Sequence, residues 1–356
     1  MDDAPALAGR DPGGMLQQVA GFPAQLARAR EVQAAFRAAH PGLAAQSSAG
    51  EPAREVLVCG MGGSAIGGEF AAAWAASCGV RVEVHRGYGL PTWVEARHLL
   101  VFSSYSGDTE ETLSAYEASA GCRARRVCVT TAGRLAELAR RDGLPCLELP
   151  AGLQPRAALG HSLVALLVLL HESGLVRRDP VAEIDAAARH LRKLGETLAP
   201  EVPESDNRAK QLARSCHGRL PFFCTGTGIT RPVGTRWKGQ LNENAKALAV
   251  ASVLPEMNHN EIMAWRAIPE VRRLARLFFL RDRDDPPALL RRMQVTSEIL
   301  AERVAGVDWL DTAGTGLLER MLGASYLGDY ASVYLAFLND VDPTPVQQID
   351  VLKQRL

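Results

Sequence analysis

Two polar clusters carry the clearest chemical signal in this 356-residue chain. Asn242-Glu243-Asn244 sets a carboxylate between two amides, and Asn258-His259-Asn260-Glu261 sets an imidazole between two amides. A Leu-Pro-Glu break lies between them, in an otherwise apolar, helix-forming stretch spanning residues 236–265. That composition is odd for a core. It suits acid–base chemistry, which needs titratable groups held by neutral hydrogen-bond partners. A surface helix followed by a polar loop would read the same way, so this segment alone leaves both readings open.

A second set of residues suits an anion. The strand-like run EVLVC, residues 55–59, enters Gly60-Met61-Gly62-Gly63-Ser64 and then a helix of small residues. Strand, Gly-rich turn and helix present backbone N–H groups and a helix N-terminus to a negative charge. A later strand, 99–103, is followed by Ser104, Ser106, Gly107 and Thr109, ahead of a helix from about Glu110 to Ala120. Capping that helix would need one hydroxyl, and the stretch supplies three. The first turn also fits a loose dinucleotide fingerprint, Gly60-x-Gly62-x-x-Ala65, with Glu83 at the end of the next strand in the place of a ribose-binding acid. A dinucleotide fold does not call for the Ser/Thr cluster. Arg156, in a loop before an apolar helix, could pair with a substrate or steady developing negative charge, although alone it reads equally as a surface arginine. Metal binding has little support, because the eight histidines are dispersed with no HExxH or HxH. Neither a Walker A sequence nor a GxSxG elbow is present.

The elements that must position these residues alternate. Strands are expected at 55–59, 80–85, 99–103, 126–130 and 146–149, with helices between them and an apolar helix at 158–174. This is the pattern of an α/β doubly wound parallel sheet with helices on both faces. A charged, helical stretch with Pro180, Pro200 and Pro203 then reads as a bridge. The pattern recurs with a strand at 220–224, Thr225-Gly226-Thr227-Gly228, a helix from about Arg231 to Ala249, strands at 274–280 and 307–310, and helices at 286–304 and 316–339. Two units of like order suggest an internal duplication. Their chemistry differs. In place of the three hydroxyls the second half has Arg281-Asp282-Arg283-Asp284-Asp285-Pro286-Pro287. Carboxylates repel phosphate and proline lacks the N–H, so this is a poor anion cradle. One half is expected to hold a phosphate, and the other to supply Glu243 and His259.

Residues 1–20, rich in Gly, Ala, Pro and Asp, are expected to be partly disordered. Residues 22–40 have helical spacing with Phe22, Leu26, Val32 and Phe36 as core contacts, and 41–54 form a connector. The expected domains are an N-terminal segment at 1–45, a phosphate-binding domain at 46–175, the bridge at 176–205 and a catalytic domain at 206–356. The tail opens with Asp342-Pro343-Thr344-Pro345 and ends in a short helix carrying Lys353.

Composition bounds the function. Hydrophobic residues make up 47% and charged residues 22%, as in a soluble globular protein. A net charge of zero gives no general attraction to nucleic acid or an anionic membrane. Arginine runs at 123–126 and 291–292 read as solvated helix faces. Seven scattered cysteines without a CxxC pair imply reduced thiols and a cytoplasmic location. The N-terminus has no early apolar run, so no signal peptide is expected. Leu163–Leu170 is far shorter than the roughly 20 residues of a membrane span.

MGGSAIGG, SSYSGDTEET, Pro155-Arg156, WKGQLNENAK and PEMNHNE together resemble the bifunctional phosphoglucose/phosphomannose isomerases of the sugar isomerase (SIS) superfamily. The resemblance runs from about residue 50 through nearly the whole chain, and NEN followed by NHNE is its specific part. It implies two SIS-type subdomains and interconversion of glucose 6-phosphate or mannose 6-phosphate with fructose 6-phosphate through a cis-enediol. It implies no metal or other cofactor, and a homodimer. By position, Ser104, Ser106 and Thr109 correspond to phosphate-binding hydroxyls, and Gly62, Gly63 and Ser64 to the loop at the sugar. Glu243 corresponds to the base between C1 and C2, and His259 to a ring-opening residue supplied across the dimer interface. Arg156 corresponds to the residue beside the enediolate, Lys353 to a lysine near the ring oxygen, and Thr344 to a threonine that leaves room for both C2 epimers. Asp108 departs from the asparagine frequent in the family. A non-catalytic SIS-domain sugar-phosphate binder, an isomerase of another phosphosugar and a nicotinamide-dependent enzyme are the competing readings.

Overall fold

The computed structural model describes residues 1–41, 55–266 and 268–355. The expected connector therefore lies, from residue 42 onward, outside the described residues. By contacts the chain forms two compact units. Residues 21–189 form one, here the N-sheet unit, and residues 1–20 with 190–356 form the other, the C-sheet unit.

Four helices open the chain: α1 (Ala4–Gly9), α2 (Met15–Ala20), α3 (Phe22–Leu26) and α4 (Ala29–Ala39). Residues 1–20, expected to be partly disordered, are helical in part because Asp11 accepts the N–H groups of Met15 at 2.8 Å and Leu16 at 2.7 Å. Met15 and Val19, one helical turn apart, are buried, and α2 packs on a long helix of its own unit. In the N-sheet unit Phe22, Leu26 and Phe36 are buried as expected, while Val32 is half-buried.

The N-sheet unit continues with β1 (Glu55–Cys59), α5 (Gly62–Ala76), β2 (Arg81–His85), β3 (His98–Ser104), α6 (Glu110–Ala118), β4 (Arg125–Thr130), α7 (Gly133–Arg141), β5 (Cys146–Glu148), α8 (Leu159–Glu172) and the start of α9 (Val181–Leu198). All strands run parallel in the order β2-β1-β3-β4-β5. β3 is buried along its whole length, as a strand covered on both faces must be. The run Leu163–Leu170 is buried within α8, which packs against α3, α4 and α5. Arg125, expected on a solvated helix face, instead begins β4 together with Arg126, which the expected strand at 126–130 already included. The chain leaves β1 toward β2 on one side and reaches β3 on the other. The loops after β1 and β3 therefore diverge, which opens a crevice at the carboxyl ends of these strands.

The C-sheet unit contains α10 (Arg208–Cys216), β6 (Leu220–Thr225), α11 (Thr230–Glu243), β7 (Val250–Val253), α12 (Pro269–Leu274), β8 (Ala275–Arg281), α13 (Pro287–Leu300), β9 (Gly306–Asp311), α14 (Leu317–Leu338) and α15 (Gln347–Arg355). Its parallel order, β7-β6-β8-β9, repeats that of the first sheet without a fifth strand, which supports the duplication. The helix expected from Arg231 to Ala249 ends at Glu243. Ala245 and Ala247 both donate their N–H groups to the Leu241 carbonyl at 3.1 Å, and Lys246 takes a positive φ of 52°. Residues 250–253 then pair with β6 as a strand that the sequence reading did not separate from the helix. Ala, Lys and Leu favour helix locally, but pairing against a formed sheet overrides so weak a preference.

Candidate active site

In the N-sheet unit the hydroxyl cluster stands at the carboxyl end of β3. Ser104 Oγ is 2.8 Å from Thr109 Oγ1 and accepts the Gly107 N–H at 3.0 Å. Ser106 is exposed, and its Oγ accepts the Asp108 N–H at 3.3 Å. Thr109 occupies the position before α6, yet its side chain makes no cap hydrogen bond; its hydroxyl is engaged by Ser104 instead. Capping therefore does not account for the cluster. α5 likewise begins at Gly62 without a side-chain cap. The first turn leaves β1 hard against β3, since a Cβ on Gly60 would lie 2.7 Å from the carbonyl oxygen of Ser103, near the end of that strand. Two uncapped helix N-termini thus flank one crevice, each with its positive dipole end outward.

Arg156 belongs to the same crevice. It sits in a 3-10 turn, Pro155–Ala157, and is buried, with Nη1 3.5 Å from Gln154 Oε1. A Cβ on Gly63 would lie 2.7 Å from the Pro155 carbonyl oxygen and 3.7 Å from Arg156 Cα, so the absent side chain is what lets this turn approach α5. Ser64, in the first turn of α5, is also buried. The geometry brings together Gly62, Gly63, Ser64, Ser104, Ser106, Thr109 and Arg156. Asp108 faces elsewhere: its Oδ1 accepts the Arg134 N–H at 2.8 Å, capping α7. Glu83, expected at the end of the second strand, lies within β2 opposite Leu57, two residues before its end, and is ion-paired with Arg81.

In the C-sheet unit Glu243 is the last residue of α11 and is half-buried. It lines a cleft of about 430 Å³ with Asn242, Lys246, Pro345, Val346 and Ile349. Three polar side chains spaced four residues apart, two on α11 and one just past its end, fix this helix to α14. Arg236 Nη2 donates to Asp329 Oδ2 at 2.7 Å, Gln240 Nε2 donates to Asp329 Oδ1 at 3.0 Å, and Asn244 Nδ2 donates to Ser332 Oγ at 2.8 Å. Complete burial pushes the Asp329 carboxyl upward, against the Arg236 guanidinium and the Gln240 amide. Asn244 thus anchors the helix that presents Glu243. Sequence reading missed Arg236, Gln240 and Asp329. The signal available was a lone Asp within apolar α14 and polar residues at helical spacing on α11.

His259 ends a 3-10 turn, Glu256–His259, and is exposed. Its neighbours pin the loop: Asn258 Nδ2 donates to Thr296 Oγ1 and Asn260 Nδ2 to Glu256 Oε1, both at 2.7 Å. Among the described residues no hydrogen bond engages the His259 ring, so the structure shows no direct link to Glu243. Lys353 is exposed on α15. Thr344 packs against Gly13, where a Cβ would collide with its Oγ1.

The second-half counterpart of the anion crevice holds carboxylates. Asp282 accepts Arg320 Nε at 2.8 Å, and Asp285 Oδ2 accepts the Asp282 N–H at 2.8 Å. A Cβ on Gly226 would lie 3.1 Å from Asp285 Oδ1, so this carboxylate stands beside the Gly-rich turn. Burial pushes Asp285 upward; it does the same to Asp282, but hydrogen bonds from Thr312 and Arg320 outweigh it there. Among the described residues no group of three or more His, Cys, Asp or Glu could hold a metal ion, and no helix is long and apolar enough to cross a membrane. The seven cysteines are free.

Residues 205–356 match the family model described as the bacterial phospho-glucose isomerase C-terminal SIS domain. A bifunctional phosphoglucose/phosphomannose isomerase of Caldicellulosiruptor bescii is 41% identical, over 85% of this chain and 89% of its own. A protein of the same description from Aquifex aeolicus is 36% identical over 86% of this chain and 91% of its own. The crystal structure of a hypothetical protein from Thermus thermophilus shares the fold, with a TM-score of 0.74 at 19% identity, covering 99% of this chain and 93% of that one. With two such relatives matched across most of its length, the chain belongs to the bifunctional phosphoglucose/phosphomannose isomerase family.

Proposed function

We propose that this enzyme interconverts glucose 6-phosphate and mannose 6-phosphate with fructose 6-phosphate. The observation that carries the reading is the crevice at β1 and β3, where two uncapped helix N-termini, the Ser104–Thr109 hydroxyl pair and buried Arg156 converge. Ser104, Ser106 and Thr109 hold the phosphate, and Gly62, Gly63 and Ser64 face the sugar. Such a site binds a dianion through hydrogen bonds and helix dipoles rather than through a lysine. The domain containing this crevice is accordingly the phosphate-binding domain, and the one containing Glu243 the catalytic domain.

The chemistry needs ring opening, then proton removal beside a carbonyl, then return of the proton to the neighbouring carbon. His259 of the partner subunit in a homodimer serves the ring opening, and Lys353 stands near the ring oxygen. Glu243 takes the proton from C2 of the open aldose, the electrons moving into a C1–C2 enediolate. Arg156 stabilises the oxygen that gains charge. Glu243 then returns the proton to C1 on the same face as the O2 hydroxyl proton passes to O1, so that C2 becomes the carbonyl and C1 the hydroxymethyl carbon of the ketose. Either C2 epimer can enter if the enediolate rotates about C2–C3, with Thr344 leaving the room. No residue here requires a metal, and the place of work is the cytoplasm. The test is a coupled assay on EDTA-treated protein, forming fructose 6-phosphate from each aldose phosphate. Turnover of both is expected; binding without turnover of either would point to a sensor.

A further inference from the structure

Lys246 stands at a strained turn beside Glu243. Its φ of 52° lies in the left-handed region, where a side chain is disfavoured and glycine is usual. Its ammonium, with three N–H donors shared among them, lies within hydrogen-bond distance of four carbonyl oxygens: Glu243 at 2.9 Å, Asn244 at 3.3 Å, Asp342 at 2.7 Å and Pro343 at 3.1 Å. Two of these lie at the negative end of α11, and the other two begin the C-terminal tail. Alongside, Asn339 Nδ2 donates to the Ala245 carbonyl at 3.0 Å. Beyond this clamp, α15 has no buried residue. The two walls of the cleft are therefore the end of α11 with Glu243 and the turn after it with Lys246, and the tail with Pro345, Val346 and Ile349.

We infer that Lys246 is a positioning residue, whose ammonium holds the C-terminal tail against the end of the helix that carries Glu243. The left-handed φ coincides with a side chain turned back over the helix end and onto the tail, so the strain sits where the clamp is made. The inference rests on the reading of Glu243 as the base, so Glu243→Gln is measured alongside.

The experiment compares Lys246→Gly and Lys246→Met in the full-length protein. Both remove the ammonium, but only glycine relieves the backbone. The expected result is a kcat lowered about tenfold or more in both, with KM changed less than about threefold, because a 1 Å misplacement can remove on the order of 10²-fold. Lys246→Gly is expected to have the higher Tm of the two, so activity and stability part company. Amide hydrogen exchange in 342–355 should quicken in both variants. Unchanged exchange there, or wild-type kcat in either variant while Glu243→Gln is inactive, overturns the inference. If Glu243→Gln is active, the reading of the base fails instead, and quickened exchange still supports the clamp.

Discussion

A single methyl group on Gly63 should slow the reaction with little effect on substrate binding. A Cβ there would lie 2.7 Å from the Pro155 carbonyl oxygen, whereas ordinary contact begins at 3.4 Å. The turn or the helix must therefore give by about 0.7 Å (3.4 − 2.7). α5 is a 15-residue helix packed on the sheet, and the facing turn has only three residues, so the turn moves. Arg156 rides on that turn. Overpacking costs about 1–3 kcal/mol, less than the roughly 5–15 kcal/mol that holds a typical protein folded, so Gly63→Ala should fold. If 1 Å costs on the order of 10²-fold, 0.7 Å should lower kcat by roughly 25-fold. Ser104 and Thr109 stand on the β3 side, untouched, so KM should change less than about threefold. Coupled fructose 6-phosphate formation and thermal denaturation together read both effects. A folded Gly63→Ala enzyme with wild-type kcat, or with KM raised and kcat intact, would refute the reasoning.

Other consequences are equally direct. Because Asp108 caps α7, Asp108→Asn should leave stability within about 0.5 kcal/mol and activity unchanged, while Asp108→Ala should lose about 1 kcal/mol by denaturant titration. Burial, with a smaller effect of the Arg28 charge, holds the His161 imidazole down at about 4, below its ordinary 6.5. Between these values the unfolded chain binds more protons, so stability should fall as pH falls from 6.5 toward 4, and His161→Gln should flatten that slope in denaturation midpoints. If His259 works across a dimer, mixing inactive Glu243→Gln and His259→Ala chains should restore activity through mixed dimers; no recovery after verified subunit exchange would count against it.

Much of the fold was legible because buried parallel strands announce themselves. EVLVC and LLVFS are continuous apolar runs, and each enters a turn of Gly or Ser that a helix follows. The crevice was legible for the same reason, since Gly62–Ser64 and Ser104–Thr109 follow neighbouring strands directly. What stayed hidden depends on contacts distant in sequence. β7 is a strand because β6 lies beside it, while its preceding residues favour helix. α2 is ordered through Asp11 and through packing on α14, some 300 residues later. Asp329 and Lys246 draw their meaning from partners on other elements, so neither type nor spacing alone marked them.

The central claim is that one carboxylate, Glu243, carries a proton between adjacent carbons. The most direct test is turnover of glucose 6-phosphate in D₂O, with deuterium at C1 of the fructose 6-phosphate and at C2 of the re-formed aldose followed by NMR, for the wild-type enzyme and for Glu243→Gln. The account predicts solvent deuterium at both carbons during wild-type turnover and a rate lower by about 10²–10⁴-fold in Glu243→Gln. Normal turnover in both directions without any deuterium entering either carbon would indicate a hydride shift and contradict it, as would a Glu243→Gln enzyme that works at the wild-type rate.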